Sequence, residues 1–442
     1  MAIYPSEVGL VPSVATWPGG SIDYVTGDPA ITYTVKAVWV DAQTTSIQFD
    51  LSTFGEGDRF SNPLVVDFTD PAVDTIAGVE SINIKRGRDD NLEAFGMGTC
   101  SIVINDPTGR YNPANEAGVL YGKLRPMRQV QVQATLNNYT VPLFRGYIRN
   151  IDYRAELMHS TATLTVSDLF LYMNRVKPSF VNQGRATTTG EVFSQMLSAA
   201  LWDTTILTSL QTGDVIPSPG VANTTAEARE TALGIVQNLM EIERGDFYIA
   251  SNGTVTFKQR NDRSQRGNSA TFNNVSGYAV ASSDIERVKN KAAVARATGN
   301  PVVPYVTSEW SDGNSIANYG QQDFSTIQSA YLYDSVQALA LAQWLVSQRA
   351  SPLVVFRAIE LTARALQSAG ALYALLTELS DRISVANTSI GSSAIGYFVE
   401  GIEHSITPDN HKIKYSLIPI IAGAFVLDSA LSGILDTNAL AY

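Results

Sequence analysis

Lys85-Arg86-Gly87-Arg88-Asp89-Asp90-Asn91, continuing through Gly96-Met97-Gly98-Thr99-Cys100 to Asn105-Asp106-Pro107-Thr108-Gly109-Arg110-Tyr111-Asn112-Pro113, decides how this chain is read. Val79, Ile82 and Ile84 run into a basic turn, and Cys100, Ile102 and Ile104 alternate on the far side of it. Asn-Asp-Pro-Thr-Gly then supplies residues that fix φ or tolerate φ > 0, so the pattern is strand, tight turn, strand, turn. None of these side chains is an activated nucleophile, a general base or part of a metal cage. The stretch speaks for architecture.

Strands dominate on either side. Ile31-Thr32-Tyr33-Thr34-Val35 and Ser46-Ile47-Gln48-Phe49-Asp50-Leu51 predict a first hairpin after an extended arm over 1–30. Gln129-Val130-Gln131-Val132-Gln133-Ala134 and Thr161-Ala162-Thr163-Leu164-Thr165-Val166 alternate without a break, each with one apolar and one Gln or Thr face. Helices follow: Thr188-Thr189-Gly190-Glu191 and Thr224-Thr225-Ala226-Glu227 have capping-box spacing, and the second predicts a helix stopped at Gly245. Asp246 to Phe257, with Asn252-Gly253 at its turn, predicts a hairpin, and Asp334 opens a third helix that Pro352 ends.

The chain of 442 residues has 17% charged side chains, below the usual quarter, so Ser, Thr, Asn and Gln make up much of its polar surface. Such a surface suits assembly. The net charge of -11 is uneven: residues 1–74 carry 2 basic and 10 acidic side chains, residues 75–185 carry 13 and 9. That asymmetry is compatible with complementary contacts between subunits. The single cysteine, Cys100, excludes an intramolecular disulfide framework and predicts a buried small hydrophobe. No basic segment followed by an apolar run opens the sequence, and Leu417–Leu427 is too short for a membrane span.

Spacing suggests a duplication. Arg128 is followed by an alternating strand, by Gly146, and by Ile151 five positions further; Arg382 is followed by Ile383-Ser384-Val385, by Gly401, and by Ile406 five further. Each series ends in another alternating strand. Two β domains of one plan are predicted.

The order of motifs resembles the tail-tip or baseplate hub proteins of long-tailed bacteriophages, a family of minor tail proteins. The residues that carry the resemblance are Arg86-Gly87-Arg88, Gly96 and Gly98, then Asn105, Gly109, Arg110, Tyr111 and Pro113, with Arg125-Pro126 and Gly146 beyond. The resemblance implies a mainly β chain: two tube-type β-barrel domains, 75–185 and 285–420, flank an α+β insertion at 186–284. An arm and hairpin region, 1–74, would precede them, and an apolar docking tail, 421–442, would follow. It implies a structural virion protein with no catalytic, cofactor-binding or metal residues. Three chains would form a ring at the distal end of the tail, joining tube to tip. Its partners would be two further copies, tail-tube and distal tail proteins, and tip or fibre proteins. DNA would be transiting cargo only, past inner walls lined by the Gln and Thr faces of 129–134 and 161–166.

Two other classes compete: a tail-associated peptidoglycan or glycan hydrolase, and a receptor- or carbohydrate-binding tail protein. The residues offer little for either. His159, His404 and His411 have no Gly-x-Ser-x-Gly near them, and His404 and His411 are read as a polar hairpin rim. Asp89 with Asp90 and Glu241 with Glu243 are sequence neighbours without a sugar platform of aromatic residues.

Overall fold

A computed structural model of the chain describes residues 21–22, 30–39, 74–89, 92–156, 159–178, 187–200, 206–216, 230–273, 279–282, 287–298, 302–352, 355–366, 368–387 and 392–420. The hairpin strand at 46–51, the Thr224–Glu227 box and the 421–442 tail lie outside the described residues, as do most of the 1–30 arm and Asp90-Asn91.

Alternation sets the strands. In the first half these are β1 (Thr32–Ala37), β2 (Val79–Gly87), β3 (Gly96–Asn105), β4 (Gln129–Leu136), β5 (Tyr139–Arg154) and β6 (Thr161–Ser167). They pair antiparallel in the order β2-β3-β6-β5-β4-β1. Ile82, Ile84, Cys100, Ile102, Ile104, Leu164 and Val166 all point inward and are at most 2% exposed, which is what period 2 demands of a half-buried sheet.

Helix α1 (Thr189–Ala199) starts at the predicted box, with Thr188 Oγ1 accepting from the Glu191 N–H at 3.3 Å and Glu191 accepting from the Thr188 N–H at 3.2 Å. Helix α2 (Ala232–Glu243) is capped by Thr231 and stops at Arg244, which holds φ at 52°. Gly245, the predicted stop, serves another end: a Cβ there would fall 2.3 Å from the Lys258 carbonyl oxygen, so glycine lets the chain enter the hairpin β7 (Asp246–Ile249) and β8 (Val255–Lys258).

The second half repeats the plan. Its strands include β9 (Ala270–Asn273) and β10 (Ala279–Ser282). After α3 (Ser335–Arg349), capped by Asp334 at 2.7 Å from the Gln337 N–H, come β11 (Val355–Thr362), α4 (Ser368–Leu376), β12 (Arg382–Asn387), β13 (Ser392–Ile406) and β14 (His411–Pro419). Their pairing order is β10-β11-β14-β13-β12-β9, the order of the first half except that β9 joins parallel. A separate three-stranded sheet, with Lys291–Ala297 between Tyr305–Ser311 and Ile327–Ser329, packs against α3.

The long strands β5 and β13 occupy the same place in each set, and each carries a register shift, at Ile148/Asn150 and at Val399/Gly401. When the shifts are superposed, Gly146 lies three residues before the extra residue and Gly401 one after it. The two glycines are therefore not equivalent, and the Gly-x4-Ile spacing agrees by coincidence while the strand order repeats in fact.

The outer edge of β2 is taken by β13, from Gly401↔Gly87 to Ile406↔Ile82, and not by β1. The two sets thus join into one sheet, and among the described residues neither closes on itself. Gln129 and Gln131 are 3% and 8% exposed, so the Gln face of β4 is covered within the chain. Helix α4 packs on β4 and β5, and Arg145 donates to Gln129 Oε1 at 3.1 Å. The expectation that this face lines a channel does not hold; Thr161, Thr163 and Thr165 keep partial exposure.

Candidate functional site

Arg86 and Arg88 continue the buried face begun by Ile82 and Ile84, and both guanidiniums are driven inside, at 4% and 8% exposure. A buried charge is tolerable only when paired and hydrogen-bonded. Arg88 donates through Nε to Glu400 Oε2 at 2.7 Å, through Nη2 to Asp246 Oδ1 at 2.7 Å and through Nη1 to the Glu93 carbonyl at 2.8 Å, with its guanidinium 4.1 Å from the Phe95 ring centre. A second cation, Arg263, bonds both Asp246 oxygens at 2.7 and 2.8 Å and also both oxygens of Glu400. Ser380 Oγ donates to Asp246 Oδ2 at 2.5 Å.

Two arginines and two carboxylates thus neutralise each other where β2, the hairpin β7–β8, the turn at 260–265 and β13 meet. Burial opposes ionisation of Asp246, but the guanidiniums of Arg263 and Arg88 outweigh it and hold the carboxyl below the usual range. Burial likewise works against the charge on Arg263, and Asp246 and Glu400 reverse it. Beside this cluster Arg86 donates to Glu378 Oε1 at 2.7 Å. The other Glu378 oxygen accepts from the Ser251 N–H at 2.8 Å.

Gly87 is the hinge of the motif. Its φ of +103° and a Cβ that would lie 2.2 Å from the Glu400 carbonyl oxygen exclude a side chain. Gly98 donates its N–H to Asp168 Oδ2 at 2.7 Å, and a Cβ there would meet that oxygen at 2.6 Å. Burial pushes the Asp168 carboxyl up to about 7, against the N–H groups of Gly98 and Phe170 and the charge of Arg86. Gly146 lies with a would-be Cβ 2.4 Å from the Ser167 carbonyl oxygen, whereas Gly96, opposite Gly87, has ordinary room.

The remaining motif residues form a second, separate group. Asp106, after Asn105, accepts from the Arg110 and Tyr111 N–H groups at 2.9 and 2.7 Å, and Gly109 takes φ +68° in the loop so formed. Tyr111 is buried against Trp39, ring centres 6.1 Å apart. Arg110, Pro113, Arg125 and Pro126 are exposed.

The histidine reading is corrected. His404 and His411 are buried at 4% and 0% exposure, with Nδ1 of the first 3.0 Å from Nε2 of the second and the Tyr33 hydroxyl 2.8 Å from His411 Nδ1. They are a core pair, not a rim. Among the described residues no group of three or more His, Cys, Asp or Glu is placed to hold a metal. Glu243 is buried and tied to Thr189 and the Asp214 N–H, so Glu241 and Glu243 are no open carboxylate pair.

Sequence reasoning found Arg86, Gly87 and Arg88 but not Asp246, Arg263, Ser380 or Glu400. One signal was present: Ile82, Ile84, Arg86 and Arg88 share one parity, so the arginines had to be buried and counter-charges had to exist. Their positions along the chain had no local mark.

No protein-family model and no curated protein matches the sequence. Solved structures do. The 43 kDa tail protein of prophage MuSo2 from Shewanella oneidensis superposes with a TM-score of 0.51 at 14% identity, over 78% of this chain and 95% of that one. The tail protein from Neisseria meningitidis MC58 gives 0.52 at 11% identity, over 78% and 93%. The chain has the fold of these phage tail-type proteins, as the resemblance in its motifs implied.

Proposed function

We propose that the chain is a structural hub of a phage tail tip, in which three copies close into a ring that joins the tail tube to the distal tip around the DNA channel. The observation that carries this is the recurrence of one strand order in both halves, on the fold of tail proteins. Two similar sheets per chain let a trimer offer six near-equivalent positions, and a closed ring needs one heterologous contact repeated until it closes. In this reading 75–185 and 285–420 are the tube-type barrel domains and 186–284 the insertion between them.

The Arg88–Asp246–Arg263–Glu400 cluster has no free carboxylate or nucleophile, and its role is to hold the two halves and the insertion in one rigid unit. Of the motif residues, Arg86, Gly87 and Arg88 act in that junction, while Gly98 and Gly146 allow the close approach of Asp168 and Ser167 within the first half. Asn105, Gly109, Arg110, Tyr111, Pro113, Arg125 and Pro126 shape the loops presented to neighbours.

Gold-tagged antibody against the chain tests the assignment on purified particles. Label confined to the tail end opposite the capsid supports it; label on capsids, or none on tailed particles, overturns it.

A further inference from the structure

The strand Tyr305–Ser311 is an outer edge of the three-stranded sheet. It pairs with Lys291–Ala297 along its whole length without a register shift, and among the described residues no strand pairs with its other side. All of its residues but Ser308 are exposed. Natural edge strands are usually blunted by Lys, by Pro or by a bulge. Tyr305-Val306-Thr307-Ser308-Glu309-Trp310-Ser311 has none of the three.

Its side chains form two rows. Val306, Ser308 and Trp310 stand opposite Arg296, Val294 and Ala292, of which the last two are buried. Ser308 Oγ donates to the Ser335 carbonyl at 3.3 Å, so this row lies on the side of α3. Trp310 is nonetheless 44% exposed, Val306 39%, and Val336, the neighbour of Ser335, 74%. An apolar row is thus left open along an unpaired edge, and such patches mark interaction sites. Tyr305, Thr307 and Glu309 make the second row.

Charge selects the occupant. Residues 297–348 contain Glu309, Asp312, Asp323 and Asp334 and no Lys, Arg or His. Asp312 directly follows the strand, and Asp334 precedes the residue that Ser308 bonds. Asp312 and Asp334 accept from the Ser315 and Gln337 N–H groups at 2.9 and 2.7 Å as helix N-caps, which leaves their charge in place. Among the described residues the one ion pair that Glu309, Asp312 and Asp334 make is Glu309 with Lys291, at 3.1 Å. A second copy of this edge would set further carboxylates against these, whereas a basic segment would neutralise them.

We propose that Tyr305–Ser311 is a docking edge for an extended, basic segment of another protein, which adds a fourth strand to this sheet. The segment lays its apolar side chains beside Val306 and Trp310 and brings Lys or Arg to Glu309, Asp312 and Asp334. Main-chain bonds along the edge supply affinity, and the alternating side chains supply the choice of partner.

The probe is a dye-labelled decapeptide of alternating Val and Lys, titrated into the full chain at low salt and followed by anisotropy. It should bind, and Glu in place of Lys should abolish binding. D-residues at its two central positions, which break the strand but keep composition and charge, should weaken binding by about tenfold or more. Val306→Ser with Trp310→Ser should weaken the all-L peptide by about as much, as loss of a central aromatic contact does. Val119→Ser, at an exposed site elsewhere, should not. Asp312→Ser with Asp334→Ser keeps both N-caps and should lower both the affinity and its dependence on salt.

No binding of the Val-Lys peptide, equal binding of the D-containing peptide, or equal binding to the Val306→Ser, Trp310→Ser variant overturns the inference. Self-association of the chain that Trp310→Ser abolishes without any peptide overturns it in favour of a second copy. The purified chain alone is used, so the outcome is independent of where the chain sits in a particle.

Discussion

Arg88 is bonded to Glu400 twice: its backbone N–H donates to the Glu400 carbonyl at 2.9 Å, and its Nε donates to the carboxylate at 2.7 Å. Glu400 is the extra residue of the register shift in β13, between Val399 and Gly401. A bulge turns a side chain away from the alternation of its strand, and here it aims a carboxylate at two guanidiniums in the core. The β5 shift places Arg149 at the corresponding point, exposed. One device repeated in both halves thus has its structural use in the second.

Breaking this cluster should be costly. Glu400→Gln leaves Arg88 and Arg263 short of a buried anion, and removing one partner of such a set costs about 3–5 kcal/mol. Glu156→Gln, which removes the exposed partner of Arg154, should cost about 0–1 kcal/mol. Urea unfolding of the two variants checks the contrast; similar midpoints would contradict it.

The glycines should rank by what surrounds them. Gly146→Ala puts a Cβ 2.4 Å from the Ser167 carbonyl oxygen, a backbone atom that cannot swing aside, so soluble yield should collapse. Gly122 has φ +73° and open space around its Cα, so Gly122→Ala should cost only about 1 kcal/mol of backbone strain. Gly109→Val, also at positive φ with Asn115 Nδ2 3.3 Å from the added Cβ, should fall between them. Melting temperatures of the soluble variants give the order, and a tolerant Gly146 with an intolerant Gly122 would refute it.

The histidine pair sets an acid limit. Burial, then His411 and the positive charge of Arg86, holds His404 well below its ordinary value; burial, then Arg364, lowers His411 to about 3. The Tyr33 hydroxyl completes the surroundings. In the unfolded chain both rings titrate near 6.5. The unfolded state therefore binds more protons below that pH, and stability, intact above it, falls as pH drops toward the folded values, by up to about 1.4 kcal/mol per unit for each ring. His404→Gln with His411→Gln should flatten the slope of unfolding free energy between pH 6.5 and 5. An unchanged slope would show that these rings do not govern it.

Cys100 is 1% exposed between Ile84 and Val166, and burial pushes its thiol far up. A thiol reagent should leave the folded chain untouched and modify one group in denaturant. Rapid modification without denaturant would mean that β3 opens readily.

What the sequence made legible follows from range. Capping at Thr188 with Glu191 and at Asp334, the Asp246 hairpin and the alternation of Cys100, Ile102 and Ile104 are decided within a few residues, so they could be read directly. Arg88 finds Asp246, Arg263 and Glu400 only through tertiary pairing. The histidines mislead because a polar residue at a strand end looks solvated until another element covers it. Gln129 and Gln131 mislead in the same way, since alternation separates two faces but does not say whether both are buried.

The central claim, a three-chain ring built from two similar sheets per chain, is tested most directly by averaged electron micrographs of isolated tails viewed down their axis. The account predicts a ring with three-fold symmetry at the distal end, divided into six similar lobes around an open centre. A ring of another symmetry, or three lobes with no internal likeness, would contradict it.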